Sequence, residues 1–484
     1  MRTVNPATGE EIAEYQLASP EEGLAKLRTA HLSFQREWRV LSVTERTEYL
    51  RKFARSLRAH VRDSAKTITE EMGKPISQSE AEVEKCAWTA EVYADNAQQW
   101  LSEESVSGSA SRGYIEFQPL GVVFAIEPWN FPFWQACRSL IPALASGNTV
   151  VLRHSNQVPG CSIRLEETFR DAGFPEGVFG SIIADHAVTE ELIGSPFVQA
   201  VDFSGGVDSG RKVGEVAARN LKKVVMELGG SDPFVVLEDA DIAEAAREGA
   251  NSRLVGGGQN CISAKRFIVI RQVAEEFVEA LTHEFAQKTV GNPMDSETDV
   301  GPLSSEYQVN LLADQVADAV LRGANATMGG KRMEGKGFFF EPTILEGVVP
   351  EMKVMREEVF GPVAPIFVVE DEESAIQAAN ESEYGLAASI WTEDLDRGKE
   401  LALRMESGIV SVNELVRSDP WMPFGGTKHS GMGRELSRYG LLEFTNIKSV
   451  NIYARSSSSS AILSSEKRHT HYKRNFSQEL SPER

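Results

Sequence analysis

The chain predicts an α/β protein with two consecutive parallel-sheet units, and three observations carry that reading. From residue 121, short β-rich runs alternate with helical stretches: GVVFAI (121–126), NTVVLR (148–153), VQAVDF (198–203) and KVVMEL (223–228). A second series repeats the pattern with RFIVI (266–270), VAPIFVV (363–369), AASIWT (387–392) and GIVSVN (408–413). The length, 484 residues, is enough for about three domain-sized units. Parallel neighbours need a long crossover that a helix fills, so this alternation implies sheets covered on both faces. Two such units facing one another leave a cleft in which a cofactor and a substrate meet.

The elements follow in order. The first hundred residues read as helices. Ser42-Val43-Thr44-Glu45 fits a capping box, in which the Ser42 hydroxyl and the Glu45 carboxylate satisfy first-turn amides. Tyr49, Leu50, Phe53, Leu57 and Val61 then recur at three- and four-residue steps and form one apolar stripe. Ser77 to Glu80 repeats the cap ahead of Val83, Ala87 and Val92. RGYIEFQ (112–118) alternates as an exposed strand does. The tail begins RSSSSS at 455 and stays polar, with too little apolar surface to offset chain entropy, so disorder is expected there.

Composition excludes several classes. A formal charge of −21 repels a nucleic-acid backbone, and no basic stripe appears. No apolar stretch approaches the roughly 20 residues of a spanning helix, and MRTVNPATGEEIAEYQ lacks the basic and apolar regions of a secretory leader. Cys86, Cys137, Cys161 and Cys261 are scattered, with neither a disulfide framework nor metal-ligand spacing, so a reducing cytoplasm and no metal are expected. GxxxxGK[ST], HExxH, GxSxG and GxGxxG behind a strand are all missing, so a dinucleotide enzyme here holds pyrophosphate in another way.

Three segments carry the chemistry. Gly256-Gly257-Gly258-Gln259-Asn260-Cys261 ends a glycine-rich loop on a thiol, Met226-Glu227-Leu228-Gly229-Gly230 ends a β-rich run on a carboxylate, and Pro128-Trp129-Asn130-Phe131-Pro132 sets an amide in a rigid loop. Each has a bland reading: a small buried hydrophobe for Cys261, a cap or surface charge for Glu227, a turn residue for Asn130. Together they offer a nucleophile, a base and an amide donor, the set that acyl chemistry through a covalent intermediate requires.

EPWNFPFW, DFSGGVDSG, MELGGSDP, GQNCISAKR, TDVGPL, EEVFGPV and PFGGTKHSGMGRE resemble, in family order over residues 1–453, the aldehyde dehydrogenase superfamily; KHSGMGREL and VLRHSN are most similar to its succinate-semialdehyde branch. The resemblance implies two Rossmann-like α/β domains: residues 1–108 and 120–228 for the cofactor and 229–435 for catalysis. It also implies an oligomerisation element at 109–119 and 436–453, a tail at 454–484, and a homodimer or a dimer of dimers. It assigns Cys261 as the nucleophile, Glu227 as the base that activates water, and Asn130 with the Cys261 N–H as the oxyanion donors. Phe203, Ser204, Gly205 and Gly206 would lie under the cofactor, with Ile126, Pro128, Trp129 and Leu228 along its wall. Glu358 would hold the nicotinamide ribose and Phe360 pack beside it, although simple core packing is an equal reading of Phe360.

Departures from the family pattern sharpen this. Arg153-His154-Ser155-Asn156 stands where members usually carry lysine, proline, a small residue and glutamate. Arg153, Ser155 and Asn156 therefore favour NADP+ over NAD+, because a neutral Asn156 does not repel a 2′-phosphate and a guanidinium grips one; the other reading pairs Arg153 with a surface acid. Ser139 replaces a lysine and Gly206 a serine. Arg138 matches an arginine that binds a distal carboxylate, with Trp134 as an apolar wall and Ser418 as a second donor; a structural ion pair is the other reading of Arg138. Succinate semialdehyde is favoured, with glutarate semialdehyde or a general aliphatic aldehyde as alternatives. A CoA-acylating enzyme and a catalytically silent relative are the rivals, and an intact Glu227 argues against both.

Overall fold

A computed structural model describes residues 1–108 and 110–454. Apart from Ala454, the predicted tail lies outside the described residues. The chain forms two compact units: Met1–Leu101 with Gln118–Asn446, and Ser102–Phe117 with the chain from Ile447 onward. Both parallel sheets belong to the first.

The first sheet runs Lys223–Glu227, Val198–Ser204, Val122–Glu127, Thr149–His154, Phe179–Ile182, all parallel, with the short Gly431–Met432 added antiparallel beside Lys223–Glu227. The chain starts at the centre with Val122–Glu127, builds to one edge and returns to the other side. The order thus reverses between Val122–Glu127 and Val198–Ser204, and the crossovers there leave toward opposite faces and open a crevice at the carboxyl ends. Side chains alternate across the pleat. Val123, Ala125, Val150 and Leu152 enter one core with the helices Val43–Ala59, Ile76–Trp100 and Pro132–Ala145. Val122, Phe124, Ile126, Val151 and Phe203 enter the other with Pro20–Ser33 and His186–Gly194.

The second sheet runs Asn325–Met328, Thr343–Glu346, Val363–Val369, Arg266–Ile270, Pro233–Val236, Ala387–Trp391, Ile409–Val412, parallel except at the Asn325–Met328 edge. Its two cores divide in the same way, with Phe234, Val236, Phe267 and Val269 on one face and Val235, Ile268 and Ile390 on the other. A separate three-stranded sheet has Arg112–Pro119 between Glu104–Val106 and Thr445–Ile452.

Some elements differ from the sequence reading. The Ser42 box forms, with Glu45 N donating to Ser42 Oγ at 3.3 Å and Ser42 N to Glu45 Oε2 at 2.7 Å. The Ser77 cap does not: the helix begins at Ile76 behind Pro75, and Ile76 N is already bonded to Pro293 O at 2.7 Å. The first hundred residues also include a strand pair, Arg2–Val4 with Glu11–Glu14.

Helix Pro132–Ala145 is buried along its whole length. Its first turn has no capping side chain of its own, so the Glu82 carboxylate supplies one, accepting from Phe133 N at 2.8 Å and Trp134 N at 3.0 Å. Lys74, itself fully buried, pairs with Glu82 and sits 3.3 Å from the centre of the Phe131 ring. Removing one partner of a buried pair strands the other charge, at a cost of about 3–5 kcal/mol. Lys74→Met is therefore expected to lower the urea midpoint strongly, whereas Lys66→Met, at an exposed pair with Glu70, leaves it nearly unmoved.

Candidate active site

Helix Ile242–Leu254 delivers the chain to a loop in which Gly256, Gly257 and Gly258 all have positive φ, at 62°, 67° and 75°. Three successive left-handed residues are strained for anything but glycine, and a Cβ on Gly258 would collide with the Gly361 carbonyl. The loop is fastened from below. The buried Arg253 guanidinium donates to Gly258 O and to Ala264 O (3.0 Å), so it braces backbone and is not turned toward a ligand. The Gln259 amide donates to Gly256 O at 3.1 Å and accepts from Ser304 N at 2.8 Å. Lys265 Nζ donates to the Cys261 carbonyl and pairs with Glu358 Oε1 at 3.1 Å.

Cys261, Asn130 and Glu227 line one cavity of about 470 Å³ together with Arg138, Glu358 and Phe360. Asn130 Nδ2 donates to Gln259 O at 3.1 Å and Oδ1 accepts from Gln135 Nε2 at 3.2 Å, which pins the amide plane and leaves its second N–H for a ligand. Glu227 ends the strand Lys223–Glu227, and both its carboxyl oxygens are buried without a hydrogen-bond partner. Burial holds this carboxyl well above the usual range; Glu435 and Asp202 push the same way, and Arg138 and Arg434 oppose them. Burial also pushes the Cys261 thiol up to about 11, against the pull of Arg138 and Lys265.

Arg138 lies at the back of this cavity. Its Nε stands 2.6 Å from Glu435 Oε2, at an angle that makes a close ion pair and not a hydrogen bond; a terminal nitrogen donates to Ser204 Oγ at 3.4 Å, and the guanidinium covers the Phe424 ring at 4.2 Å. Glu435 belongs to a buried trio with Glu127 and Asp202 whose carboxyl oxygens all lie within 4.8 Å of one another. Ser139 Oγ donates to Glu127 at 3.0 Å. Burial raises Glu127 to about 7 and Glu435 to about 8, and moves Asp202 well above its usual range. Counting Glu227, four carboxyls crowd around one guanidinium, and burial raises all of them. One turn earlier on the helix, Trp134 Nε1 donates to Ser418 Oγ at 3.0 Å, and Lys85 Nζ donates to the same oxygen at 2.7 Å.

A second cavity, of about 400 Å³, opens where the strand order reverses. It shares Pro128, Trp129, Ser204, Gly205 and Gly206 with the first and adds Ile126, Arg153, Ser155, Phe203 and Lys212. Helix Val207–Arg219 starts here at Gly206 with no side chain capping it, which leaves amide donors for an anion. Arg153 gives one N–H to Ala184 O at 2.9 Å, while its Nε is buried and unpartnered. An uncapped helix start, an orphaned guanidinium nitrogen and apolar walls fit a phosphorylated dinucleotide. Asn156 is not among the described residues lining either cavity.

The aldehyde dehydrogenase family model matches residues 1–450. The chain belongs to the aldehyde dehydrogenase family. It is 44% identical over 448 residues to a probable succinate-semialdehyde dehydrogenase, NADP(+), of Synechocystis sp., covering 93% of this chain and 98% of that one. It is 41% identical to the succinate semialdehyde dehydrogenase NAD(P)+ Sad of Escherichia coli, covering 93% and 97%. The succinic semialdehyde dehydrogenase of Streptococcus pyogenes, solved in complex with NADP+, superposes with a TM-score of 0.91 at 35% identity, covering 94% of this chain and all of that one.

Within this aldehyde dehydrogenase the structure gathers Cys261, Glu227, Asn130, Leu228, Glu358 and Phe360 in one cavity. Phe360 is only half-buried and meets Trp129 edge-on at 5.6 Å, so it is wall and not core. Arg138 is ion-paired within the chain, yet it also faces the cavity. The sequence reading missed Lys265, Lys212, Lys85 and the Glu127–Asp202–Glu435 trio. GQNCISAKR contains Lys265 four residues past the thiol, but nothing in the spacing aims its ammonium back at the Cys261 carbonyl. Because the thiolate is the reactive form, alkylation of Cys261 by iodoacetamide is expected to accelerate about tenfold per pH unit from 7 to 10. A rate already flat at pH 7 would contradict the burial of this thiol.

Proposed function

We propose that this aldehyde dehydrogenase oxidises succinate semialdehyde to succinate, with NADP+ preferred and NAD+ accepted. The observation that carries the chemistry is the convergence of Cys261, Asn130 and Glu227 on one cavity that runs into the dinucleotide-shaped cavity beyond it. Arg153 and Ser155 carry the cofactor preference, because Nε of Arg153 lies buried without an acceptor.

Once the Cys261 thiol proton has passed to solvent in the cavity, the thiolate attacks the aldehyde carbon, and the carbonyl π pair becomes an oxyanion held by the Asn130 amide and the Cys261 backbone N–H. When bound, the nicotinamide dinucleotide supplies the acceptor for the two electrons and the hydrogen that leave this carbon. It would lie over Phe203–Gly206 and the uncapped start of helix Val207–Arg219, along Ile126, Pro128, Trp129 and Leu228, with Glu358 toward the ribose and Phe360 beside it. Collapse of the oxyanion leaves a thioester on Cys261. Glu227 takes a proton from water, the water oxygen bonds to the thioester carbon, and the C–S bond breaks to release carboxylate and restore the thiolate. A carboxyl raised by burial is a stronger base than an exposed one, which suits this step. Arg138, Trp134 and Ser418 would face the far end of the substrate. Free thiols suit a reducing cytoplasm, and the edges of the three-stranded sheet suit strand pairing between copies in a homodimer or a dimer of dimers.

An aldehyde panel assayed with both cofactors tests the reading. The highest kcat/KM is expected for succinate semialdehyde with NADP+; a clear advantage for NAD+, or for an uncharged aldehyde of equal length, overturns the corresponding half. Glu227→Gln is expected to retain a burst of NADPH and lose about 10²- to 10⁴-fold in steady-state rate. Loss of burst and steady state together would remove Glu227 from the hydrolytic step.

A further inference from the structure

The charge on Arg138 is already spent on Glu435, whereas a second cation nearby has no ion-pair partner among the described residues. Lys85, on helix Ile76–Trp100, is largely enclosed: its Nζ donates to Ser418 Oγ at 2.7 Å and stands 4.2 Å from the centre of the Trp134 ring. It makes no ion pair among the described residues. Ser418 Oγ also accepts from Trp134 Nε1 at 3.0 Å. Two donors occupy both lone pairs of this hydroxyl, so its own proton is directed away from them to a third acceptor, and no acceptor for it is present among the described residues. An ammonium with unused N–H bonds beside a hydroxyl compelled to donate offers two donors to one acceptor.

Its place in the fold gives the site a purpose. Trp134 and Arg138 are four residues apart on one helix and share a face. Arg138 borders the Cys261 cavity and lies within electrostatic reach of both Cys261 and Lys85. Lys85, Ser418 and Trp134 therefore lie one helical turn along the same face from a residue that touches the reactive cavity.

We infer that Lys85 is a specificity-determining residue: with the Ser418 hydroxyl it binds the terminal carboxylate of a short ω-carboxy aldehyde, and Trp134 walls the site. This rests on the substrate reading proposed above and adds a cation beside Arg138, whose charge Glu435 already engages. The groups acting on Lys85 are Cys86 on its own helix, Arg138 on Pro132–Ala145, and Arg417 and Asp419 on the segment that carries Ser418. Burial, with Arg138 and Arg417, brings its ammonium down to about 8 against the opposing pull of Cys86 and Asp419. The cation is thus present below that pH and lost above it, and a bound carboxylate favours the charged form.

The test compares succinate semialdehyde with butanal on the full-length enzyme, as wild type, Lys85→Met and Lys85→Arg. Lys85→Met is expected to raise KM for succinate semialdehyde about 10- to 100-fold more than KM for butanal, the range for a hydrogen-bonded charge, and Lys85→Arg to recover most of the difference. On wild type, which needs no variant to fold, KM for succinate semialdehyde should climb above pH 8 while KM for butanal stays level. Equal KM changes on both substrates in Lys85→Met, or the same pH profile for both on wild type, overturn the role of Lys85 while a wild-type preference for the carboxylate leaves the substrate reading standing. A wild type indifferent between the two aldehydes overturns both.

Discussion

The site depends on how one buried helix is begun. Pro132–Ala145 lies wholly inside the protein, so its first amides have no water to turn to, and leaving them unpaired would cost more than most single contacts return. Glu82 meets two of them, and Lys74 meets Glu82. This pair does not line the Cys261 cavity, yet it sets where the helix starts. Asn130 is placed just before that start, and Trp134, Arg138 and Ser139 follow at fixed rotations after it. A shift of this helix by one residue would turn each of these side chains about 100° away from its present partner.

A second constraint comes from charge. Two unit charges 4 Å apart interact by about 4 kcal/mol at an effective dielectric of 20, and one guanidinium cannot compensate four buried anions. Glu127, Asp202, Glu435 and Glu227 accordingly hold their protons well above the ordinary carboxyl range. The protonation of Glu227 is therefore bound to that of its neighbours, so its titration belongs to the group and not to a single residue.

The two parallel sheets were legible in the sequence because both faces of each central strand are buried, which makes Val122–Glu127 or Arg266–Ile270 read as unbroken apolar runs. Phe179–Ile182 and Pro233–Val236, four residues each, were not read as strands. At the site, Cys261, Glu227 and Asn130 stood out through their motifs. Lys85 and Glu82 did not: on a helix with ordinary charged neighbours, nothing in the spacing tells a buried lysine or glutamate from a solvated one. The Arg138 ion pair with Glu435 spans nearly three hundred residues of chain and is a property of the fold, although Glu435 was visible within the GMGRE motif.

Residues 153–155 join the second cavity to the loop that presents Asn130. Arg153 and His154 are successive residues of one strand, so they point to opposite sides. Arg153 faces the dinucleotide-shaped cavity. His154, kept neutral by burial with its pKa near 4, places Nε2 at 2.7 Å from the Pro132 carbonyl, and Ser155 N donates to its Nδ1 at 2.9 Å. With Nδ1 accepting, Nε2 carries the proton and donates to Pro132, which closes the Pro128–Pro132 loop that presents Asn130. The proline usual at this position has no ring N–H to offer. Arg153, which lines the second cavity, and His154, which fastens the loop that presents Asn130, are thus neighbours on one strand, and substitution of either residue acts on a strand shared by both.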